Sequence, residues 1–176
     1  MYEIKKSTIK GKGVYATRDI VKNEHLFHVD LNQLPNYSLD EIAKNSKLNA
    51  NSDHSDYFGN GRYVIDFSPA SYINHSCSPN CYERMKTIIL KDVYALRDIK
   101  KGEELTTNYT LTAVDQFAGK GFWVIDCKCG SKKCRGKVTG DFFTLPTELQ
   151  RNFYRNLPPS IIKKYKDRFN KLINQK

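Results

Sequence analysis

The sequence has no long apolar run and no cysteine pattern typical of a secreted disulfide scaffold. Its apolar stretches are about as long as a strand, whereas a membrane helix needs roughly 18 consecutive apolar residues. Residues 1–6 carry no apolar core of the kind found in a signal peptide. The cysteine count is odd, at five, which argues against a fully paired disulfide framework. We therefore expect an intracellular chain, cytoplasmic or nuclear, with no membrane span and no secretion.

Acidic residues are scarce relative to basic ones. The chain has 29 Lys and Arg against 19 Asp and Glu, so its formal net charge is +10. The excess is largest in residues 147–176, which hold eight basic and two acidic side chains. A basic balance favours anionic partners. This tail has two interpretations, the solvated face of a packed helix or a surface that contacts nucleic acid or an acidic partner.

Short apolar runs separated by turns predict a β-rich α+β fold in one domain of 176 residues. We predict strands over 62–66, 87–90, 93–96 and 103–109. A surface insertion over 31–61 contains a helix-like patch at 39–43 and ends in a turn at 59–61. The C-terminal apolar residues recur at helical spacing, which predicts one helix from Pro158 to Ile173.

Three polar or glycine-containing segments are candidates for a ligand site, although each alone is weak. Gly11-Lys12-Gly13 is a turn that allows backbone to approach a flat ligand. Asn74-His75-Ser76-Cys77 places an amide, an imidazole and a thiol side by side in a loop composition unsuited to core packing. Residues 102–109 end at Tyr109, which on its own is most simply a strand residue with one buried hydroxyl.

The cysteines form the strongest local motif. Cys127, Cys129 and Cys134 are spaced Cys-x-Cys-x4-Cys, which favours metal ligands over a redox centre or free thiols. Three thiolates are one short of the four that a structural zinc site requires. Cys77 or Cys81 is therefore expected to supply the fourth ligand from elsewhere in the fold.

Taken in order, these motifs resemble those of the SET-domain protein lysine methyltransferases with a post-SET zinc segment, over roughly residues 2–136. Residues 11–15 are similar to the family's first cofactor motif, and 74–80 match its most diagnostic string. Residues 95–109 resemble its final catalytic strand. The resemblance implies a β-clip of small curved sheets, with a pseudoknot formed by the Asn74-His75 strand and the Tyr109 segment. It also implies a SET domain over 1–115, a post-SET zinc segment over 116–140 and a basic helical extension over 141–176.

The resemblance further implies roles for individual residues. Tyr109 is the expected catalytic residue, and the substrate is a protein with an exposed lysine, such as a histone tail at chromatin. The expected S-adenosylmethionine site consists of Lys10, Gly11, Lys12, Gly13, Val14, Tyr72, Asn74, His75 and Tyr109. The expected zinc ligands are Cys77, Cys127, Cys129 and Cys134, which leaves Cys81 as a core thiol. The expected substrate channel contains Tyr63, Tyr94 and Thr107.

The chain departs from the family pattern at three positions. Ser71 stands where an arginine is usual, so Lys10 or Lys12 is expected to bind the cofactor carboxylate instead. Thr107 replaces an aromatic residue of the channel, and Asn108 replaces an aspartate. The alternative functions are a catalytically inactive zinc-containing peptide reader and a nucleic-acid-binding protein. Neither alternative needs Tyr109 together with Asn74 and His75.

Overall fold

The computed structural model describes residues 1–118 and 121–174. The strands in this part are β1 Tyr2–Lys6, β2 Lys12–Ala16, β3 His25–Asp30, β4 Asn36–Ser38, β5 Ser55–Gly59, β6 Arg62–Ile65, β7 Asn74–His75, β8 Cys81–Thr87, β9 Leu90–Ala95, β10 Glu104–Thr107, β11 Phe117–Ala118, β12 Gly121–Phe122, β13 Val124–Asp126 and β14 Lys137–Thr139. The α-helices are α1 Leu39–Lys44, α2 Ser46–Ala50, α3 Thr147–Phe153, α4 Pro159–Lys164 and α5 Lys166–Asn174. Short 3-10 helices cover Ser52–His54, Pro69–Tyr72, Tyr109–Leu111, Phe142–Thr144 and Tyr154–Asn156.

The strands form several small sheets, which confirms the predicted β-rich α+β class. One sheet has the order β1-β2-β10-β7, a second β3-β9-β8 and a third β4-β6-β5, while β11-β12 and β13-β14 are two-stranded. The strand predicted over 87–90 is wrong. Ile88 and Ile89 form the turn of a hairpin that joins β8 to β9, so the apolar run lies at the tip of the hairpin and not within a strand.

The main apolar core lies between the first two sheets. It includes Val14 of β2, Val93 and Ala95 of β9 and Leu105 of β10, all at most 1% exposed. Alternation of side chains along each strand places these residues on one face. Their burial is the main contribution to holding the sheets together.

The strand β7 lies beside β10 in parallel, in contrast to the antiparallel pairing of the other strands in the described residues. Asn74 is opposite Thr106 and His75 is opposite Thr107, and the Ser76 amide donates to the Thr107 carbonyl at 2.8 Å. This pairing brings the Asn-His-Ser-Cys loop next to the segment that ends at Tyr109. The proximity of these two segments, which the resemblance implies, thus follows from the pairing of β7 with β10.

The insertion over 31–61 supplies β4, β5 and two short helices. The patch predicted at 39–43 is α1, whose first turn is capped by Ser38 and Glu41 in a reciprocal capping box. The predicted turn at its end joins β5 to β6, with positive φ at Gly59, Asn60 and Gly61. Glycine tolerates such backbone angles without steric cost.

The C-terminal helix predicted from Pro158 to Ile173 is two helices, because the backbone leaves helical geometry at Tyr165 between α4 and α5. Both pack onto a second apolar core that contains Phe142, Leu157, Ile161, Phe169 and Leu172. The tail is therefore packed on the domain, as one of its two interpretations requires. No helix within the described part of the chain is long and apolar enough to cross a membrane.

Candidate functional site

The side chain of Asn74 connects β7 to the glycine turn that precedes β2. Its amide group lies 3.2 Å from the Lys10 carbonyl, 3.0 Å from the Lys12 carbonyl and 2.8 Å from Oε1 of Glu104. An amide has two N–H donors, so these three acceptors share them. The structure thereby joins Lys10, Lys12 and Asn74, three of the residues predicted to hold a cofactor.

Glu104 is a site residue that the sequence analysis missed. Its carboxylate also accepts hydrogen bonds from Ser7 Oγ at 2.8 Å and from Tyr15 Oη at 3.0 Å. A Cβ atom at Gly13 would lie 2.2 Å from Glu104 Oε1, so Gly13 leaves room for this carboxylate. Val14, the next residue, is fully buried in the main core and offers only its backbone to the site.

The resemblance implies an S-adenosylmethionine site at these residues, and at such a site Glu104→Gln is expected to weaken cofactor binding about tenfold. The amide that replaces the carboxylate would place an N–H group against one of the groups that now donate to Glu104. Hydrogen bonds to a charged group contribute about 1.5–3 kcal/mol, and 1.4 kcal/mol corresponds to about tenfold in affinity. Calorimetric titration measures the change. The matched control is Glu103→Gln, which removes the surface ion pair with Arg97 but keeps an oxygen that can accept from the Lys100 amide, and it is expected to leave binding within about twofold. Equal loss in both variants would contradict the role of Glu104.

Tyr109 begins the short 3-10 helix two residues after β10, and both its side chain and its backbone are held by hydrogen bonds. Its hydroxyl donates to the Ile73 carbonyl at 2.8 Å, and its backbone amide donates to His75 Nδ1 at 3.2 Å. Burial raises the pKa of the Tyr109 hydroxyl, and the nearby charge of Glu83 acts in the same direction. The hydroxyl is therefore neutral at physiological pH, with its proton directed at Ile73 and its oxygen lone pairs free to accept a hydrogen bond.

His75 connects Tyr109 to the cysteines. Burial lowers the pKa of the imidazole to about 4, and the Arg135 guanidinium contributes to the shift. Since the neutral ring accepts the Tyr109 amide at Nδ1, its proton is on Nε2. Nε2 lies 3.4 Å from Cys77 Sγ and donates to that sulfur. An interaction of this kind orients a metal ligand from outside the coordination sphere.

Four cysteines form a cluster that is suited to a metal ion. The sulfur atoms of Cys77, Cys127, Cys129 and Cys134 all lie within 4.8 Å of one another. Zinc–sulfur bonds of about 2.3 Å in a tetrahedron give sulfur–sulfur separations of about 3.8 Å, and Cys77 and Cys127 are 3.8 Å apart. The donor set therefore fits zinc.

The remaining cysteine, Cys81, lies outside this cluster. It is fully buried in the main core, and burial raises its pKa to about 12. Within the cluster, burial would raise the pKa of Cys129, but hydrogen bonds from the Cys77 amide and Ser131 outweigh burial and lower it to about 6. Of the two sequence candidates for the fourth ligand, the structure brings Cys77 to the other three.

Arg135 is the second residue that the sequence analysis missed. Its backbone amide approaches Cys77 Sγ at 3.4 Å, while its guanidinium donates to Asn108 Oδ1 at 3.2 Å and to Thr110 Oγ1 at 3.3 Å. Asn108 and Thr110 flank Tyr109. Arg135 thus connects the cysteine segment to both sides of the tyrosine, and Asn108, one of the departures from the family pattern, is its acceptor.

The insertion contributes residues to the edge of the site. Lys10 forms a 2.6 Å ion pair with Asp53, and both side chains are largely exposed. The ring of His54 lies 4.5 Å from that of Tyr72, and His54 Nδ1 is 3.3 Å from Ser71 Oγ. Ser71, which stands where the resemblance implies an arginine, therefore has His54 beside it.

The three predicted channel residues lie in different surroundings. Thr107 is buried in β10, and Tyr63 is buried with its ring 5.5 Å from that of Tyr57. Tyr94 stacks on Tyr82 at 5.6 Å. Because Tyr94 follows the core residue Val93 in β9, it points to the opposite face of the sheet. Tyr94 therefore lies on the face of the β3-β9-β8 sheet opposite the main apolar core.

The buried Lys91 forms ion pairs near Tyr109. Its ammonium lies 2.7 Å from Asp56 and 3.4 Å from Glu83. Burial opposes the charged form, but the two carboxylates outweigh it and raise the pKa of Lys91. These two ion pairs connect the insertion to β8 and β9. The charges of all three residues also act on the Tyr109 hydroxyl.

Comparison with known proteins gives consistent matches. The family model of the SET domain matches residues 11–110. Histone-lysine N-methyltransferase trithorax of Drosophila virilis is 32% identical over 145 residues, covering 74% of this chain and 3% of its own length. Histone-lysine N-methyltransferase set-2 of Caenorhabditis elegans is 32% identical over 143 residues, covering 77% of this chain and 9% of its own. Histone-lysine N-methyltransferase 2D of Homo sapiens is 32% identical over 143 residues, covering 74% and 2%. The chain spans less than a tenth of each relative.

Proposed function

The chain belongs to the SET-domain family, and we propose that it is an S-adenosylmethionine-dependent protein-lysine N-methyltransferase acting on a histone or another basic protein. The observation that carries this proposal is the hydrogen-bonded series from Tyr109 through His75 to Cys77. A peptide reader or a nucleic-acid-binding protein has no use for a buried neutral tyrosine joined in this way to both a cofactor motif and a metal cluster.

The residues around Asn74 are proposed to hold the cofactor, which when bound supplies a methyl group on a positively charged sulfur. Lys10 is exposed and long enough to exchange its partner Asp53 for another carboxylate. Tyr72 offers an aromatic face, and the backbone of residues 11–14 forms one wall. Asn74 fixes the shape of this wall through its hydrogen bonds to the Lys10 and Lys12 carbonyls.

The proposed role of Tyr109 is to orient the lysine amine. A free lysine has a pKa near 10.4, so populating the neutral amine at pH 7 costs roughly 4.6 kcal/mol. A neighbouring positive charge and removal from water both favour the neutral amine. The Tyr109 hydroxyl, fixed by its bond to Ile73, then accepts an N–H of the amine and aligns its lone pair. No ionisation of Tyr109 is required.

The proposed role of zinc is structural. Four thiolates around one ion would hold residues 127–135 against Cys77 and so keep Arg135 on Asn108 and Thr110. A histone or similarly basic substrate is proposed because the relatives are named as histone-lysine methyltransferases. It follows that we propose a location at chromatin.

The test is incubation of the zinc-loaded chain with methyl-labelled S-adenosylmethionine and purified core histones. We expect label to enter histone protein in proportion to time and enzyme. Calorimetry on the same sample is expected to show cofactor binding. Cofactor binding with no label in histones or in other basic proteins would favour the peptide reader, and no cofactor binding would contradict the proposed function altogether.

A further inference from the structure

A second surface feature is a groove of about 660 Å³ between β8 and the C-terminal helices. One wall is formed by residues 84–86 of β8 and the other by α4 and the start of α5. None of the residues that line the groove is among those proposed for the cofactor site, the zinc site or the catalytic tyrosine.

Every charged residue that lines the groove is a lysine or an arginine. The charged lining residues are Arg84, Lys86, Arg155, Lys163 and Lys166, all exposed. Lys86 has Asp92 at 3.5 Å, and Arg155 donates to the Tyr154 hydroxyl. For the other three, the described residues provide no ion-pair partner. Several uncompensated positive charges around one groove attract an anionic partner.

The floor of the groove is apolar. Met85, Leu157, Pro159 and Ile162 line it, and Pro159 and Ile162 retain exposed surface. None of the lining residues is aromatic, so the groove offers no platform on which a nucleic-acid base would stack. A phosphodiester backbone has no apolar side chains to pack on such a floor, whereas a peptide does. The combination of apolar floor and cationic rim therefore favours a peptide.

We propose that this groove docks an acidic peptide segment of a partner protein, with apolar side chains on the floor and carboxylates on the rim. This proposal does not depend on methyltransferase activity. It gives the basic tail a function, because Lys163 and Lys166 are then contact residues and not merely solvated charges. A peptide in this groove would contact none of the residues proposed for the Tyr109 site.

The test is fluorescence anisotropy of the full chain with a labelled short peptide of alternating glutamate and leucine. The comparison ligands are the same peptide with serine in place of leucine and a DNA duplex of equal charge. We expect the glutamate–leucine peptide to bind most tightly. Lys163→Glu combined with Lys166→Glu is expected to weaken it at least about tenfold, and Ile162→Ser is expected to weaken it with no change of charge.

Matched controls place the same changes outside the groove. Lys44→Glu with Lys47→Glu alters two exposed lysines of the insertion, and Ile173→Ser alters an exposed isoleucine of α5. Both are expected to leave binding within about twofold, and circular dichroism confirms that every variant is folded. The proposal is overturned by equal binding of the leucine and serine peptides, by tighter binding of DNA that the groove variants abolish, or by no binding of any ligand.

Discussion

Replacing Tyr109 by phenylalanine is expected to lower kcat for lysine methylation by at least about a hundredfold, with cofactor affinity unchanged within a few-fold. Removal of one preorganised hydrogen-bonding group from a reacting centre costs about 10²–10³ in kcat, and the Tyr109 hydroxyl is fixed by its bond to Ile73. Single-turnover kinetics with labelled cofactor measures the rate, and calorimetry measures the affinity. An effect confined to kcat is the signature of an interaction made in the transition state.

The matched control is Tyr82→Phe, which removes the same oxygen from a tyrosine that stacks on Tyr94 in the second sheet. Its kcat is expected to remain near the wild-type value. Because burial raises the pKa of Tyr109, its hydroxyl does not titrate between about pH 7 and pH 9. A rise of kcat across this interval therefore does not arise from Tyr109. Near-normal kcat in Tyr109→Phe would show that the hydroxyl serves only the fold.

Replacing Cys77 by serine is expected to remove the bound zinc, whereas replacing Cys81 by serine is expected to leave one zinc per chain. Structural zinc contributes about 10–16 kcal/mol of apparent binding free energy. Divided over four ligands this is about 3 kcal/mol each, or more than a hundredfold in affinity. Plasma emission spectroscopy of the dialysed proteins measures the metal content.

Cys81 is a close control because it lies four positions from Cys77 and is also buried. Its thiol has no contact with the cluster and is kept protonated by the main core. Loss of zinc should also loosen residues 127–135, so hydrogen exchange in this segment is expected to rise in Cys77→Ser alone. Equal zinc content in the two variants, or loss only in Cys81→Ser, would contradict the ligand assignment.

Local sequence signals predicted the elements whose contacts are close in the chain. The capped helix α1 and the turn at 59–61 follow from neighbouring residues. The resemblance to the SET-domain family implied that the Asn74 and Tyr109 segments lie together. The apolar run at 87–90 misled the strand prediction because hydrophobicity alone does not distinguish a strand from a packed hairpin tip. The apolar periodicity runs through the break at Tyr165, and the side chain of Tyr165 itself packs against the second core.

Glu104 and Arg135, the two site residues that the sequence did not indicate, both have hydrogen-bond partners that are distant in sequence. Glu104 accepts from Ser7, 97 positions away, and Arg135 donates to Asn108, 27 positions away. Both residues lie within segments that resemble family motifs, but nothing in their immediate neighbours indicates these distant partners. The glycine at position 13 was a usable signal, since a glycine within a strand often marks close approach of another group. The group that approaches Gly13 is the carboxylate of Glu104.

The most direct test of the central claim is tandem mass spectrometry of histones after reaction with the zinc-loaded chain and S-adenosylmethionine, together with the yield of S-adenosylhomocysteine. The account predicts methyl groups on lysine Nζ, one for each S-adenosylhomocysteine formed, and neither product with Tyr109→Phe. S-adenosylhomocysteine formed without methyl-lysine, or methyl groups on another residue type, would contradict it.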